Sequence, residues 1–169
     1  MCQCIDHSTY QLLLDRFVRL VRETLGDRVI SIVLYGSVAR GTAGPKSDVD
    51  VLLVLEDAEP VYRERLRPLL PILRRLRKAP CWQALEAQGL SPFLSLLVLS
   101  RAEADQNRYL YLDMLADAHL LIDRGRFFQN RLEVMGARLE ELGAKKIRRN
   151  GGWYWDLKPD LAPNEVVAL

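Results

Sequence analysis

The stretch Val29-Ile-Ser-Ile-Val-Leu-Tyr-Gly-Ser37, followed after ten residues by Asp48-Val-Asp-Val-Leu-Leu-Val-Leu55, decides how this chain folds. Val29 to Tyr35 is dense in β-branched residues and stops at Gly36, the pattern of a buried strand. Asp48 to Leu55 reads as a second strand whose start alternates acid with valine. Alternation places the Asp48 and Asp50 carboxylates on one side, about 6.6 Å apart along the chain, and turns Val49 and Val51 to the core. The segment between them, Gly36-Ser-Val-Ala-Arg-Gly-Thr-Ala-Gly-Pro-Lys-Ser47, predicts a short helical turn and then a Gly- and Pro-rich loop.

Each part suits a chemical task. A glycine at a strand end lets backbone approach a ligand, and amides at the following turn together with the Ser37 hydroxyl can hold an anion, phosphate above all. Paired carboxylates suit Mg²⁺, which takes one or two of them plus phosphate oxygens and water. Arg40, one turn past Ser37, is in reach of either a phosphate oxygen or an acid such as Asp48. A Walker-type phosphate loop ending in Lys46-Ser47 fails on spacing, because its glycines would fall on Arg40 and Pro45.

Outward from this centre, Ser8 to Gln11 forms a candidate capping box opening an amphipathic helix to Leu25, with Gly26 as its stop. Glu56 to Gly89 is helical in composition but interrupted by Pro60, Pro68 and Pro71, which predicts two short helices with a bend. Ser91 to Leu99 reads as a third strand. Ser100 to Glu103 is a second capping box, opening a helix that carries Tyr109, Tyr111, Leu112, Met114 and Leu115, with Tyr109 and Tyr111 on its surface. His119 to Ile122 is a short extended piece with His119 as a core histidine, Phe127 to Leu142 a helix, and Lys145–Arg149 with Trp153–Leu157 a hairpin turned at Asn150-Gly151-Gly152. In that hairpin Trp153 and Trp155 would share one face and Tyr154 take the other. The expected class is α/β (α+β): a small mixed sheet flanked by helices, with a nucleotide-binding domain over 1–118 and a helix, hairpin and tail over 119–169 packed on it.

The chain has 169 residues and a formal charge of +2, from 24 Lys plus Arg against 22 Asp plus Glu, with 49% hydrophobic residues. That balance excludes a disordered or collagen-like chain, and the length supports a core without staples. Three cysteines make no disulfide framework, Met1 to Asp6 has no leader pattern, and no apolar run approaches the ~20 residues of a membrane span, so a cytoplasmic location away from membranes is expected. Cys2, Cys4 and His7 form C-x-C-x-x-H, short of the four ligands zinc takes. Charge is uneven: Arg63, Arg65, Arg67, Arg74, Arg75, Arg77 and Lys78 face one acid, Glu64, between Val61 and Lys78. That segment is either a solvated helix face or a patch that meets nucleotide, RNA or an acidic partner surface.

Gly36-Ser37, Arg40-Gly41 and Ser47-Asp48-Val49-Asp50 resemble the signature of the nucleotidyltransferase superfamily that includes DNA polymerase β, in its minimal form. The resemblance is densest from Val29 to Leu55 and follows the order of elements to Leu99. It implies transfer of AMP from ATP to a hydroxyl, with Gly36, Ser37, Arg40 and Ser47 at the nucleotide and Asp48 and Asp50 as catalytic Mg²⁺ ligands. It further implies an antitoxin-type role, adenylylating a partner ribonuclease of the HEPN type, with nucleic acid not the direct substrate and the oligomeric state left open. The alternatives are a non-catalytic nucleotide-binding or toxin-sequestering module, and a small-molecule nucleotidyltransferase. The ending Trp153-Tyr-Trp-Asp-Leu-Lys-Pro-Asp160 also resembles one branch of these proteins. Such proteins usually draw a third carboxylate from a neighbouring strand, and Ser91 to Leu99 holds none, its only polar side chains being Ser91 and Ser95. Glu56 is about 26 Å along the strand from Asp48. Glu86, Glu103 and Asp105 are then the acids left to complete the site; otherwise the hydroxyl is activated by metal and water alone, or activity is lost.

Overall fold

A computed structural model describes residues 5–149, 152–161 and 167. A four-stranded mixed sheet forms the centre, in the order β3-β2-β1-β4. The strands are β1 (Val29–Tyr35), β2 (Val49–Leu55), β3 (Leu94–Ser100) and β4 (His119–Asp123). β2 runs antiparallel to β1 and parallel to β3, and β4 runs antiparallel to β1. The second strand therefore begins at Val49, leaving Asp48 in the loop just before it. Alternation along β2 sorts its side chains into two cores. Val49, Val51, Leu53 and Leu55 pack with the buried stripe of α1 (His7–Leu25) and with α4 (Leu70–Arg77) and α5 (Pro80–Ala87). Leu52 and Val54 pack with Tyr111, Phe128, Met135 and Leu139, the last three from α7 (Phe127–Glu141). Asp50 shares the parity of this second set and stands at its end.

Several local expectations are corrected. α1 starts at His7 rather than after Ser8, because Asp6 caps it and accepts from the Ser8 and Thr9 amides, while the Ser8 hydroxyl donates to Asp6 Oδ1 at 2.7 Å. The ionised cap two residues upstream outcompetes the hydroxyl. The proline-rich segment makes three helices, α3 (Tyr62–Leu66), α4 and α5, because its prolines open turns instead of bending one helix: Pro68 lies in the first turn of the 3₁₀ segment Arg67–Leu69, and Pro71 and Pro80 in those of α4 and α5. The box at Ser100 and Glu103 forms as expected, yet its helix α6 (Arg101–Ala104) is a single turn and a separate 3₁₀ turn spans Tyr109–Asp113. Tyr111 is accordingly buried, its hydroxyl donating to the Ala104 carbonyl at 3.0 Å, and only Tyr109 is a surface residue.

β5 (Lys145–Arg149) and β6 (Gly152–Asp156) form a separate antiparallel hairpin. Register puts Lys146 opposite Trp155 and Arg148 opposite Trp153, so the two indoles share a face, with the Lys146 ammonium 3.9 Å from the Trp153 ring. The turn residues Asn150 and Gly151 lie outside the described residues, as do Cys2 and Cys4. His119 is half-buried at the start of β4, stacked on His7 with 4.5 Å between ring centres and its Nε2 3.3 Å from the Ala39 carbonyl. No helix among the described residues is long and apolar enough to cross a membrane.

Candidate active site

β1 ends opposite the start of β2, pairing Tyr35 with Asp50. The chain then turns through Gly36 (φ +77°) into α2 (Gly36–Ala39). Glycine is required here twice over. The dihedral is one that L side chains rarely adopt, and an added Cβ would overlap Asp50 Oδ2 and stand 3.0 Å from its Cγ. The Asp50 carboxylate thus lies directly over the Gly36 backbone, which puts the predicted phosphate turn and the predicted acid in contact.

Asp50 is half-buried and Asp48 exposed. Burial pushes the Asp50 carboxyl above its usual range and the charge of Asp48 adds to the effect; a hydrogen bond from Ser95 and the nearby Arg40 guanidinium oppose it. Neither of the two neighbouring carboxylates makes an ion pair among the described residues. That donor set fits Mg²⁺, which binds through one or two carboxylates and fills its other positions with water and phosphate oxygens. No three His, Cys, Asp or Glu side chains converge on a common point among the described residues.

The other predicted residues fall around this pair. Ser37 is half-buried; its carbonyl accepts the Thr42 amide at 2.9 Å, and its hydroxyl has no partner among the described residues. Arg40 feels Asp50 but makes no direct ion pair among the described residues, so a structural pair with Asp48 is absent. Ser47 has a loop-closing task, its Oγ accepting the Gly44 amide at 3.0 Å.

The third strand places Ser95 opposite Asp50, where a third acid would stand. None of the three remaining acids substitutes for it. Glu86 is exposed on α5, on the other face of the sheet. Glu103 follows Ser100, five residues and about 16 Å along β3 from Ser95. It is spent on Arg65, at 2.6 and 2.9 Å. Asp105, farther still along the chain, is 3.6 Å from Arg131. Arg65 is itself a correction to the picture of a uniformly basic surface segment, since it is only 8% exposed and also donates to the Glu59 and Val98 carbonyls.

Sequence reasoning missed two hydroxyls. Burial and the charge of Asp50 push the Tyr35 phenol up to about 12, and Tyr62 adds to this from α3. Tyr62 donates to the Leu96 carbonyl at 3.0 Å and accepts the Val98 amide at 3.4 Å. Tyr35 was legible only once β1 and β2 were paired in register; nothing in the sequence ties Tyr62 to the site.

The family model of the nucleotidyltransferase domain matches residues 14–94, from within α1 to the first residue of β3. Over that stretch the chain is similar to a nucleotidyltransferase domain. All the site residues described above except Ser95 lie inside it. A candidate protein adenylyltransferase of Methanocaldococcus jannaschii is 42% identical over 53 residues, which make up 31% of this chain and 36% of that protein. Among solved structures, a toxin–antitoxin complex with AMP-PNP is similar at TM-score 0.46 and 16% identity, covering 76% of this chain and 91% of the other. A complex of a tri-AMPylated HEPN toxin of Shewanella oneidensis with its MNT antitoxin is similar at 0.45 and 16%, covering 79% and 92%. The spectinomycin adenyltransferase of Enterococcus faecialis, with ATP and spectinomycin, is similar at 0.48 and 14%, covering 78% and 66%.

Proposed function

We propose that this nucleotidyltransferase domain transfers AMP from ATP to a hydroxyl on a partner protein, of the HEPN ribonuclease type, and so acts as the antitoxin of a two-protein module. The observation that carries the reading is the contact between Gly36 and Asp50, which brings the phosphate turn and the acidic pair of a nucleotidyltransferase signature into one site. In this reading Asp48 and Asp50 hold Mg²⁺, which supplies charge neutralisation to the triphosphate and the departing pyrophosphate. The Gly36 turn admits the phosphates close to backbone, the free Ser37 hydroxyl donates to a phosphate oxygen, and Arg40 adds positive charge beside it. Ser47 steadies the loop between them. Ser95 favours the ionised form of Asp50 through its hydroxyl, against the effect of burial. The acceptor oxygen attacks the α-phosphorus, the bond to the bridging oxygen breaks, pyrophosphate leaves and the hydroxyl proton passes to solvent. A cytoplasmic location follows from this role.

A second reading, a nucleotide-binding module that sequesters its partner without transfer, is favoured by one observation: Ser95 stands in place of a third acid. One experiment separates the two. Incubation with α-labelled ATP and Mg²⁺ in host extract should label a protein acceptor, and Asp48→Asn and Asp50→Asn should each lower that label by about a hundredfold or more while leaving the fold intact. Nucleotide binding with no label on any protein would overturn transfer.

A further inference from the structure

At the edge of the sheet beside the site lies a groove of about 370 Å³, formed by Leu70, Leu73, Arg74 and Arg77 of α4, Trp82 of α5, and Phe93 and Leu94 at the start of β3. It is the place where the basic segment meets an exposed apolar surface. Phe93, just before β3, is 58% exposed and Leu70, the first residue of α4, 47%. The Trp82 indole nitrogen is buried without a hydrogen-bond partner among the described residues. Arg74 and Arg77 are exposed, and neither makes an ion pair or hydrogen bond among the described residues.

Register ties the groove to the site. The Phe93 carbonyl accepts the Val49 amide at 2.9 Å, Leu94 pairs with Val49, and the next pair is Asp50 with Ser95. β3 is also an edge strand, and edges invite partners. Past Ser95 that edge is covered: Tyr62 takes the Leu96 carbonyl and the Val98 amide, and Arg65 takes the Val98 carbonyl. Among the described residues, the end nearest Asp50, flanked by the groove, has no such cover.

We propose that this groove docks the protein acceptor, through a segment that inserts an apolar side chain between Leu70, Trp82 and Phe93 and sets carboxylates against Arg74 and Arg77. The proposal rests on the reading of the domain as a protein-directed adenylyltransferase. Charge selects the occupant. The apolar floor gives no place to the triphosphate of a nucleotide, whereas an acidic amphipathic segment satisfies floor and rim together and supplies an acceptor for the Trp82 N–H. The groove lies on the α4–α5 face and Asp50 on the opposite face, so an acceptor anchored there reaches the Asp50–Ser95 pair around the edge of β3, and binding energy remote from the reacting hydroxyl is used to place it.

The probe is a fluorescein-labelled amphipathic peptide of about fifteen residues, with leucines on one helical face and glutamates on the other; the control replaces the glutamates with lysines. The glutamate peptide should bind the wild type and compete with acceptor labelling without changing the KM for ATP. Its binding should weaken about tenfold in Arg74→Glu/Arg77→Glu and in Phe93→Ser, surface changes whose unaltered melting temperature checks the fold. Equal binding of the lysine peptide, or variants that bind the glutamate peptide as the wild type does, would overturn the proposal. So would self-association abolished by Phe93→Ser, which would assign the groove to a second copy of the chain. Peptide binding that follows the groove variants while the wild type transfers no label would leave the groove standing and overturn the transfer reading. Transfer indifferent to both variants would do the reverse.

Discussion

The two ends of β2 treat their carboxylates in opposite ways. At the far end, Glu103 accepts two hydrogen bonds from Arg65 and two more from the Ser100 amide and hydroxyl, and its carboxyl is held down to about 2. Glu56, just past the strand, bridges Arg101 at 3.1 Å and Arg124 at 2.6 Å. At the near end, burial and the charge of Asp48 push the Asp50 carboxyl up, with Ser95 and Arg40 opposing. Charge at the far end is satisfied within the protein and stabilises the fold. Charge at the near end has no ion pair among the described residues, and in the proposed function a divalent cation and the polyphosphate it carries would meet it.

The sharpest way to break this contrast is Gly36→Ala. It imposes an L side chain on a positive φ and drives a methyl into the Asp50 carboxylate. Stability should fall by about 3 kcal/mol, read by denaturant unfolding, and transfer by about a hundredfold, read by label incorporation. Next comes Glu103→Gln at the opposite end, which leaves Arg65 charged and buried while touching nothing at the acidic pair. Because the carboxylate is about a third exposed, the loss should be about 2 kcal/mol rather than that of a fully buried pair, with transfer unchanged once the protein is folded. The same variant gives a pH test. Glu103 is depressed from 4.5 to about 2, so its contribution is complete above 4.5 and disappears as pH falls through the folded value. The gap in melting temperature between wild type and variant should therefore be widest at neutral pH and narrow from 4.5 downwards; a gap that stays constant would contradict the ion-pair account. The smallest effect should come from Ser95→Ala, which removes the donor at the near end. About 1 kcal/mol is expected from stability measurements, and Asp50 should titrate higher in carboxyl-resolved NMR.

Much of this contrast was legible beforehand on the near end and little of it on the far end. Val29–Tyr35 and the pair Asp48 and Asp50 are local facts: period-2 alternation and a glycine at a strand end declare themselves within thirty residues. The absence of an acid on the third strand was equally visible. That Ser95 stands opposite Asp50 was not, because parallel register is fixed by core packing between segments more than forty residues apart. Arg65 illustrates the same limit. In sequence it is one of seven basic residues in a row of helical turns, and only the approach of β3 and α6 makes it the buried partner of Glu103. The prolines misled in a different way, since a proline breaks a helix or opens one according to which turn it occupies, and that turn is set by the elements on either side.

By itself the sequence determined the strand–turn–strand unit with its two neighbouring acids, because backbone sterics and hydrophobic period act over a few residues. Only the tertiary structure decided which acids remain unpaired, that an edge of the sheet stays open beside them, and that a basic helix borders an apolar groove there. Those properties depend on distances between residues far apart in the chain, and such distances exist only once the sheet has closed on its two cores.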